Sequence, residues 1–428
     1  MRPAIRFAFA CSVFLVACDD APPRKNLGPA DPGVEYPDRS ACGTPTIPDG
    51  TALRRRPYLQ SVTATTATIA WTSRTSGTSI VRFREAGAAT GTEVAATPED
   101  FPTTRTADTE GYTMQVARLD GLSAETLYCY EIEENGTVLA TGLSFESAWT
   151  RPTRPVRILA FGDSGTGSAE QLGLRDVMGG MHHDVFLHLG DMAYPTGRFV
   201  DFEANVFGVY SDLMRAIPQF PAIGNHEYMT NAGQPYLDVY ALFDVALRPA
   251  DREKYYSFDY GDVHFVSLDS NPEMLATLSE AAADDMVDWL RNDLAASTKT
   301  WKIAFFHHPV YSSGLHGSTL GVQQAIVPAL EEGGVDLVLV GHDHHYERTM
   351  PIYQGDVAAT GDTRAITYVL EGAGGAELRP CFGSWFTEDC DYTTPSFLSL
   401  VVDGCVAHGR AVSIDGLVID EFDVNGCD

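Results

Sequence analysis

The chain has 428 residues, which is more than one compact core normally contains, so we expect about two or three domains. Its 58 Asp and Glu residues outnumber its 29 Lys and Arg residues, giving a formal net charge of -29. Because such a surface repels polyanions, nucleic acid polymers and anionic lipid surfaces are not expected as partners. A small phosphorylated ligand would need a site with strong local positive charge, which bound metal ions can supply.

The first residues are typical of an export signal. Arg2 and Arg6 precede the apolar stretch FAFACSVFLVA, which is too short to span a membrane as a helix. The stretch ends in LVAC and resembles a bacterial lipoprotein lipobox, in which Cys18 would be the acylated first residue of the mature chain. Cleavage as an ordinary secretory signal is the alternative. We therefore expect a signal peptide at 1–17 and an exported lipoprotein, anchored in a membrane through Cys18 and facing the periplasm or the cell surface.

Apart from Cys11 and Cys18, six cysteines remain, an even number that favours disulfide bonds in an exported protein. A zinc site is the alternative, although the chain has no CxxC pair. Closeness in sequence suggests two pairings and leaves the other two cysteines for each other. The predicted pairs are Cys381–Cys390, Cys405–Cys427 and Cys42–Cys129.

The region after the signal divides into a linker and a β-rich domain. Residues 18–53, rich in Pro, Gly and Asp, are predicted to form a lipidated flexible linker. Residues 54–150 contain stretches such as SVTATTATIAWTS that alternate with period two between turn-forming residues, which predicts a β-sandwich. In GLSAETLYCYEI, Leu122 and Tyr128 are placed as in the tyrosine corner of a fibronectin type III domain, although Ala124 stands where that family usually has proline.

Residues 151–428 alternate short apolar strands with helical stretches, which is typical of an α/β domain. Five strands lead directly into polar clusters: VRILAF into GDSG, VFLHL into GDMAY, QFPAI into GNHEY, WKIAFF into HHPVY and VDLVLV into GHDHH. Because ligands bind at the C-terminal ends of strands in α/β sheets, we expect the five loops to converge on one site.

The clusters supply carboxylate, amide, imidazole and phenol groups without thiolate, a set that suits iron, zinc or manganese. They contain too many ligands for one tetrahedral ion, and a bridging aspartate would let two cations lie about 3.5 to 4 Å apart. Two cations can stabilise both the attacking and the leaving oxygen of a phosphoryl transfer. GDSGTG could instead bind phosphate through backbone N–H groups, but it lacks the lysine and spacing of a P-loop. The chain contains no GxSxG motif, so its sequence does not indicate a covalent enzyme intermediate.

The ordered series GDSG, GDMAY, GNHE, HHPVY and GHDHH resembles the metallophosphoesterase superfamily, and GDMAY with GHDHHYER is similar to the purple acid phosphatases. The resemblance covers residues 54–424, because plant-type members also carry a fibronectin-like domain before the catalytic domain. It implies a multidomain fold, with an all-β fibronectin type III-like sandwich followed by an α/β metallophosphoesterase domain of αββα architecture. It also implies a dinuclear centre of Fe(III) with Zn, Fe or Mn.

The resemblance implies seven metal ligands, divided between two ions. The ligands are Asp163, Tyr194 and His344 for the first ion, which is ferric in the family, Asn225, His307 and His342 for the second, and Asp191 as the bridge.

The resemblance also implies two histidines that act on the substrate. His226, in GNHE, would contact the phosphate or protonate the leaving alkoxide. His316 lies nine residues after His307, at the spacing of a phosphate-contacting histidine. Gly317 stands where the plant-type enzymes often have a second histidine, so substrate orientation can differ here.

Other polar residues near the motifs are expected to be structural. We expect His345 to be structural or exposed, and Glu347 and Arg348 to fix their loop through an ion pair. His188 lies inside an apolar run and is interpreted as a core histidine, and His308 is interpreted as a neighbour of the site rather than a ligand.

These observations together predict an exported phosphoric ester hydrolase that is similar to acid phosphatases. It would hydrolyse monoesters of small phosphorylated molecules by attack of a hydroxide activated by two metals. One alternative is a phosphodiesterase or nucleotide hydrolase on the same scaffold. Another is a surface binding lipoprotein with a vestigial metal domain. The complete set of metal ligands argues against this alternative.

Overall fold

The computed structural model describes residues 25–26, 37–48, 52–75, 77–107, 109–243, 245–246, 251–272 and 280–427. The predicted signal peptide 1–17 and Cys18 lie outside these residues, as does most of the predicted linker 18–53. Among the helices described, none combines the length and the apolar character needed to cross a membrane.

A β-sandwich forms the first domain, because alternate side chains of its strands point between two sheets. Its core contains Ile69, Trp71, Val81 and Ile132. The described elements up to the end of the sandwich are β1 (Lys25–Asn26), a 3-10 turn (Arg39–Cys42), β2 (Leu53–Gln60), β3 (Thr66–Ser73), β4 (Ser79–Glu85), β5 (Thr92–Ala95), β6 (Thr97–Phe101), α1 (Thr103–Thr106), β7 (Tyr112–Asp120), β8 (Leu127–Glu134) and β9 (Thr137–Glu146).

The sandwich has two antiparallel sheets, with strand orders β2-β3-β7-β6 and β5-β4-β8-β9. The backbone N–H of Ser123 donates a hydrogen bond of 2.8 Å to the hydroxyl of Tyr128. A tyrosine hydroxyl bonded to the backbone a few residues upstream is the defining contact of a tyrosine corner. The predicted fibronectin type III-like sandwich is therefore confirmed.

The second domain contains two mixed sheets and the helices that cover them. Its strands are β10 (Val156–Phe161), β11 (Val185–His188), β12 (Gln219–Pro221), β13 (Tyr256–Tyr260), β14 (Val263–Ser267), β15 (Trp301–Phe305), β16 (Leu337–Val340), β17 (Tyr346–Thr349), β18 (Ile352–Tyr353), β19 (Asp356–Val357), β20 (Thr367–Glu371), β21 (Thr387–Asp391), β22 (Ser396–Asp403), β23 (Val406–Ser413) and β24 (Leu417–Asn425). Its described helices are α2 (Ala169–Gly179), α3 (Phe199–Phe202) with a π-helical turn (Glu203–Phe207), α4 (Gly208–Met214), α5 (Asn225–Tyr228), a 3-10 turn (Asn231–Gly233), α6 (Gln234–Val239), α7 (Glu280–Ala296), α8 (Leu320–Ala325) and α9 (Val327–Glu332).

Each of the two sheets has parallel strands at its centre. The first has the order β1-β24-β23-β22-β10-β11-β12, in which β10, β11 and β12 are parallel. The second has the order β13-β14-β15-β16-β20-β17-β21, with β14, β15, β16 and β20 parallel. The five strands that precede the polar motifs all belong to these parallel groups, so each sheet directs its motif loops to one edge.

Alternation along the strands of the second sheet shows how the layers stack. Ile303 and Leu339 belong to the apolar core shared with the first sheet. Ala304 and Val338, one residue away, belong to the core that contains Leu290 of helix α7. Since neighbouring side chains point to opposite faces of a sheet, the second sheet lies between the first sheet and this helix. The outer face of the first sheet packs against helix α4, so the predicted αββα architecture is confirmed.

Disulfide bonds secure the ends of the described chain and one loop. All three predicted pairs are confirmed. They are Cys42–Cys129, Cys381–Cys390 and Cys405–Cys427.

Candidate metal centre

Each of the five motif loops begins where a strand ends, and the two sheets bring these loops together. Three residues of these motif loops have positive φ angles, 56° for Asp163, 53° for Asp191 and 75° for His342. Left-handed conformations are uncommon in residues other than glycine and turn the backbone sharply. The polar side chains therefore follow their strands through abrupt turns rather than continuing along the sheet edge.

Four of the predicted ligands meet at one phenol oxygen. The hydroxyl of Tyr194 lies 3.1 Å from Asp163 Oδ1 and 3.2 Å from Asp191 Oδ2. It also lies 3.2 Å from Nε2 of His344. These are the residues that the resemblance assigns to the first metal and to the bridge, and they come from three separate loops.

The other three predicted ligands meet at an amide oxygen. Asn225 Oδ1 lies 2.9 Å from His307 Nε2 and 3.0 Å from His342 Nδ1. His307 Nε2 is also 3.3 Å from Asp191 Oδ2, so Asp191 lies between the two groups of ligands. The structure therefore brings all seven residues together, with Asp191 in the central position that a bridging ligand requires.

Backbone carbonyls fix the orientation of two of these imidazole rings. His307 Nδ1 is 2.9 Å from the carbonyl oxygen of Leu189, and His344 Nδ1 is 2.8 Å from that of Glu377. When Nδ1–H donates to a carbonyl, the Nε2 lone pair points towards the other ligands. This arrangement is typical of histidines that bind metals.

The chemistry of the cluster fits bound cations. Among the described His, Cys, Asp and Glu side chains, Asp163, Asp191 and His307 offer ligand atoms within 4.8 Å of one another. His308 forms a second such group with His307 and His342, although the sequence favoured a structural role for it. Its Nδ1 is 3.1 Å from the hydroxyl of Ser270. Burial opposes protonation of His307, but the buried carboxylates of Asp191 and Asp163 outweigh it and raise its pKa to about 9, so positive charge is favoured at this ring.

The two predicted substrate histidines flank the cluster. The ring of His226 lies 4.3 Å from the ring of Tyr194, and its Nδ1 is 2.6 Å from the carbonyl oxygen of Pro195. The ring of His316 lies 4.5 Å from the ring of His342. One histidine is therefore next to the first group of ligands, and the other is next to the second group.

A buried carboxylate that the sequence interpretation missed connects two motif loops. Glu227 Oε2 accepts hydrogen bonds from the backbone N–H groups of Asp191 and Gly224, both at 2.9 Å. Glu227 Oε1 accepts from Met192 at 3.0 Å and from Ala193 at 3.1 Å. The signal was available, because Glu227 is the last residue of GNHE.

Asp343, which had no predicted role, positions the segment that carries His316. Its Oδ1 accepts from the backbone N–H of His316 at 3.1 Å, and its Oδ2 accepts from the Ser312 hydroxyl at 2.6 Å. The sequence signal was again its place inside a motif, GHDHH, between two predicted ligands.

Arg379 is a third missed residue, and it lies in none of the motifs. Its guanidinium donates to Nε2 of His316. Its backbone N–H donates to the carbonyl oxygen of His344 at 2.9 Å. The fold therefore places a cation from outside the motifs at the edge of the cluster.

The remaining motif residues have structural contacts. His345 is buried, with Nε2 3.1 Å from Glu347, and Arg348 pairs with Asp420 at 2.6 Å. Glu347 and Arg348 thus fix their segment through separate partners rather than through one shared ion pair. His188 is a buried core residue, with Nε2 2.8 Å from the hydroxyl of Ser164.

Comparison with known families follows the same division of the chain. The model of the purple acid phosphatase N-terminal domain matches residues 55–152, and that of the calcineurin-like phosphoesterases matches residues 156–346. The chain thus combines a purple acid phosphatase N-terminal domain with a calcineurin-like phosphoesterase domain. A solved purple acid phosphatase from seeds of yellow lupin (Lupinus luteus) has the same fold, with a TM-score of 0.74 at 19% identity, over 86% of this chain and 74% of that chain.

Curated relatives of this chain include animal and plant proteins. It is 27% identical to acid phosphatase type 7 of Mus musculus over 252 residues, which is 52% of this chain and 55% of the relative. It is 25% identical to purple acid phosphatase 22 of Arabidopsis thaliana over 322 residues, 70% of this chain and 65% of the relative. The chain spans about half the length of the first relatives that it matches.

Proposed function

We propose that the chain is an exported, metal-dependent phosphatase that hydrolyses phosphate monoesters. The observation that carries this proposal is the convergence of Asp163, Asp191 and Tyr194 with Asn225 and three histidines in one cluster of buried and half-buried side chains. The matches to the two domain models support the same reaction class. The alternative of a vestigial metal domain has less support, because none of the seven predicted ligands is replaced.

The residues would divide between two cations. Asp163, Tyr194 and His344 would bind the first, and the phenol group suits ferric iron. Asn225, His307 and His342 would bind the second, for which zinc, iron and manganese are suitable. Two cations bridged by Asp191 would supply positive charge for the phosphate and an acidified water as the nucleophile.

Three side chains of this protein would act on the substrate. Donation from Nδ1 to the Pro195 carbonyl fixes the ring of His226, which leaves Nε2 to donate a proton to the leaving oxygen. His316 and Arg379, in contact with each other, would both donate to phosphate oxygens. Three hydrogen-bond donors around one site, one of them the cationic guanidinium of Arg379, suit the two negative charges of a monoester better than the single charge of a diester.

The proposed reaction is tested with purified protein supplied with iron and zinc. We expect phenyl phosphate to be hydrolysed faster than diphenyl phosphate, and we expect chelation or Asn225→Ala to abolish hydrolysis. Asn292→Ala is the matched control, because Asn292 is exposed and bonds only to the backbone carbonyl of Asp288 among its described contacts. A preference for the diester would identify a phosphodiesterase instead. A folded, fully metallated protein without esterase activity would identify a binding protein.

We also propose that the chain is exported and anchored through Cys18. Three disulfide bonds support export, because such bonds persist in oxidising compartments. Metabolic labelling with palmitate in a bacterial host should mark the wild type and Cys11→Ser but not Cys18→Ser. Equal labelling of both variants would exclude Cys18 as the anchor.

A further inference from the structure

Exposed aromatic side chains are concentrated in one segment of the described chain. The largely exposed aromatic residues are Phe382, Trp385 and Tyr392, with 69%, 54% and 45% of their surface accessible. Leu315, at 62%, is exposed next to His316. Single exposed apolar residues are common, but a group of large ones indicates a binding surface. We refer to Leu315, Phe382 and Trp385 as the aromatic rim.

The aromatic rim adjoins the metal centre. Arg379 contacts His316 with its side chain and His344 with its backbone. Phe382 follows three residues later, so its Cα lies within about 11 Å of the Cα of Arg379. The backbone N–H of Phe382 donates to the carbonyl oxygen of Ser313 at 3.3 Å, in the segment that leads to His316. A group that extends from a phosphate bound at His316 and Arg379 towards this segment would therefore approach Phe382.

Several contacts fix the shape of the rim. The Cys381–Cys390 disulfide closes the loop that carries Phe382 and Trp385. Glu347 accepts from the Ser313 backbone N–H at 2.8 Å and from the Thr387 hydroxyl at 2.5 Å, so it joins both sides of the rim. Aromatic side chains presented on a fixed loop bind a partner with little loss of conformational entropy.

We infer that the aromatic rim is the subsite for the leaving group, and that the preferred substrates are phosphate monoesters of aromatic or other large apolar alcohols. This inference rests on the proposed function, since it extends the same site. Arg379 and His316 would bind the phosphate, and the alcohol portion would pack on the ring of Phe382. Leu315 and Trp385 would contact its edges. Small polar alcohols such as glycerol would not contact these apolar side chains.

The test compares two substrates in the full metallated protein. We expect Phe382→Ala to raise KM for phenyl phosphate about threefold to tenfold, the size of one lost aromatic contact, and to leave glycerol phosphate unchanged. Trp385→Ala should act in the same direction. Val138→Ala, which removes an exposed apolar side chain from the sandwich, is the control and should alter neither substrate. KM for each substrate is compared between the wild type and the variants, so the different reactivities of the two leaving groups do not enter the comparison.

Other outcomes would overturn the inference. Equal losses for both substrates would show that the loop only maintains the site, and unchanged kinetics would show that the ring contacts no substrate. A concentration-dependent dimer that Phe382→Ala dissociates would assign the rim to a second copy of the chain. If the wild type hydrolyses neither ester, the proposed function fails. Calorimetry with phenylphosphonate and methylphosphonate then tests separately whether the aromatic rim binds the organic group of a ligand. Equal affinities for the two phosphonates would refute it.

Discussion

Glu227→Gln should destabilise the protein strongly, although the two side chains have nearly the same shape. The carboxylate accepts four backbone N–H groups, two at each oxygen, at distances between 2.9 and 3.1 Å. A glutamine amide can accept at only one of its two terminal atoms, so two N–H groups would face an NH₂ donor. A buried donor without an acceptor costs about 1–3 kcal/mol, and we therefore expect a loss of about 3 kcal/mol or more.

The assay for this prediction is urea denaturation of the metal-free protein, with the shift in midpoint converted through the slope. Glu421→Gln is the matched control, because Glu421 is an exposed residue paired with Arg410 at 2.9 Å, and exposed pairs contribute about 0–1 kcal/mol. A Glu227→Gln variant as stable as this control would refute the reasoning. It would mean that the four N–H groups find other acceptors when the carboxylate is removed.

Two further predictions concern pH and substrate binding. Burial opposes protonation of His264, but its two carboxylate partners at 2.7 and 2.8 Å raise its pKa to about 9. The ion pairs of protonated His264 stabilise the fold fully below pH 6.5, which is near the pKa of this histidine in the unfolded chain. This stabilisation is lost as pH rises through about 9. His264→Gln should therefore be about 1–2 kcal/mol less stable than wild type at pH 6, with the difference vanishing near pH 10; a constant difference would contradict the ion-pair role. Asp343→Asn should raise KM severalfold with little change in kcat or metal content, because it loosens the backbone of His316; a loss of metal would contradict this.

The sequence predicted most of the fold because its signals are local. Period-two alternation marks the sandwich strands, and five apolar strands that end in polar residues mark one edge of the sheets. The predicted ligands lie directly after those strands, so the fold brings them together as expected. Each of these predictions required only a strand and the residues that follow it.

The residues that the sequence did not reveal act through contacts between loops. Glu227 binds the backbone of Asp191, 36 positions earlier, and Arg379 contacts His316, 63 positions earlier. Neither contact has a local pattern, because the backbone path of each loop decides which N–H group or ring comes near. Asp343, like Glu227, lies in a recognised motif, yet its partners in the 312–317 segment became visible only in three dimensions.

The residues with left-handed backbone conformation in the cluster indicate that the motif loops are adapted to function rather than to stability. Asp163, Asp191 and His342 each occupy a conformation that costs about 1–3 kcal/mol for residues other than glycine. Glycine at these positions would remove that strain, so fold stability alone does not explain the aspartates and the histidine. The strained backbone is maintained by other contacts, including the 2.7 Å hydrogen bond from the N–H of His342 to Asp163 Oδ2 and the grip of Glu227 on Asp191. The fold therefore tolerates strained residues where three side chains must point at one place. This is expected if those side chains bind ions and the loops around them determine which ester is cleaved.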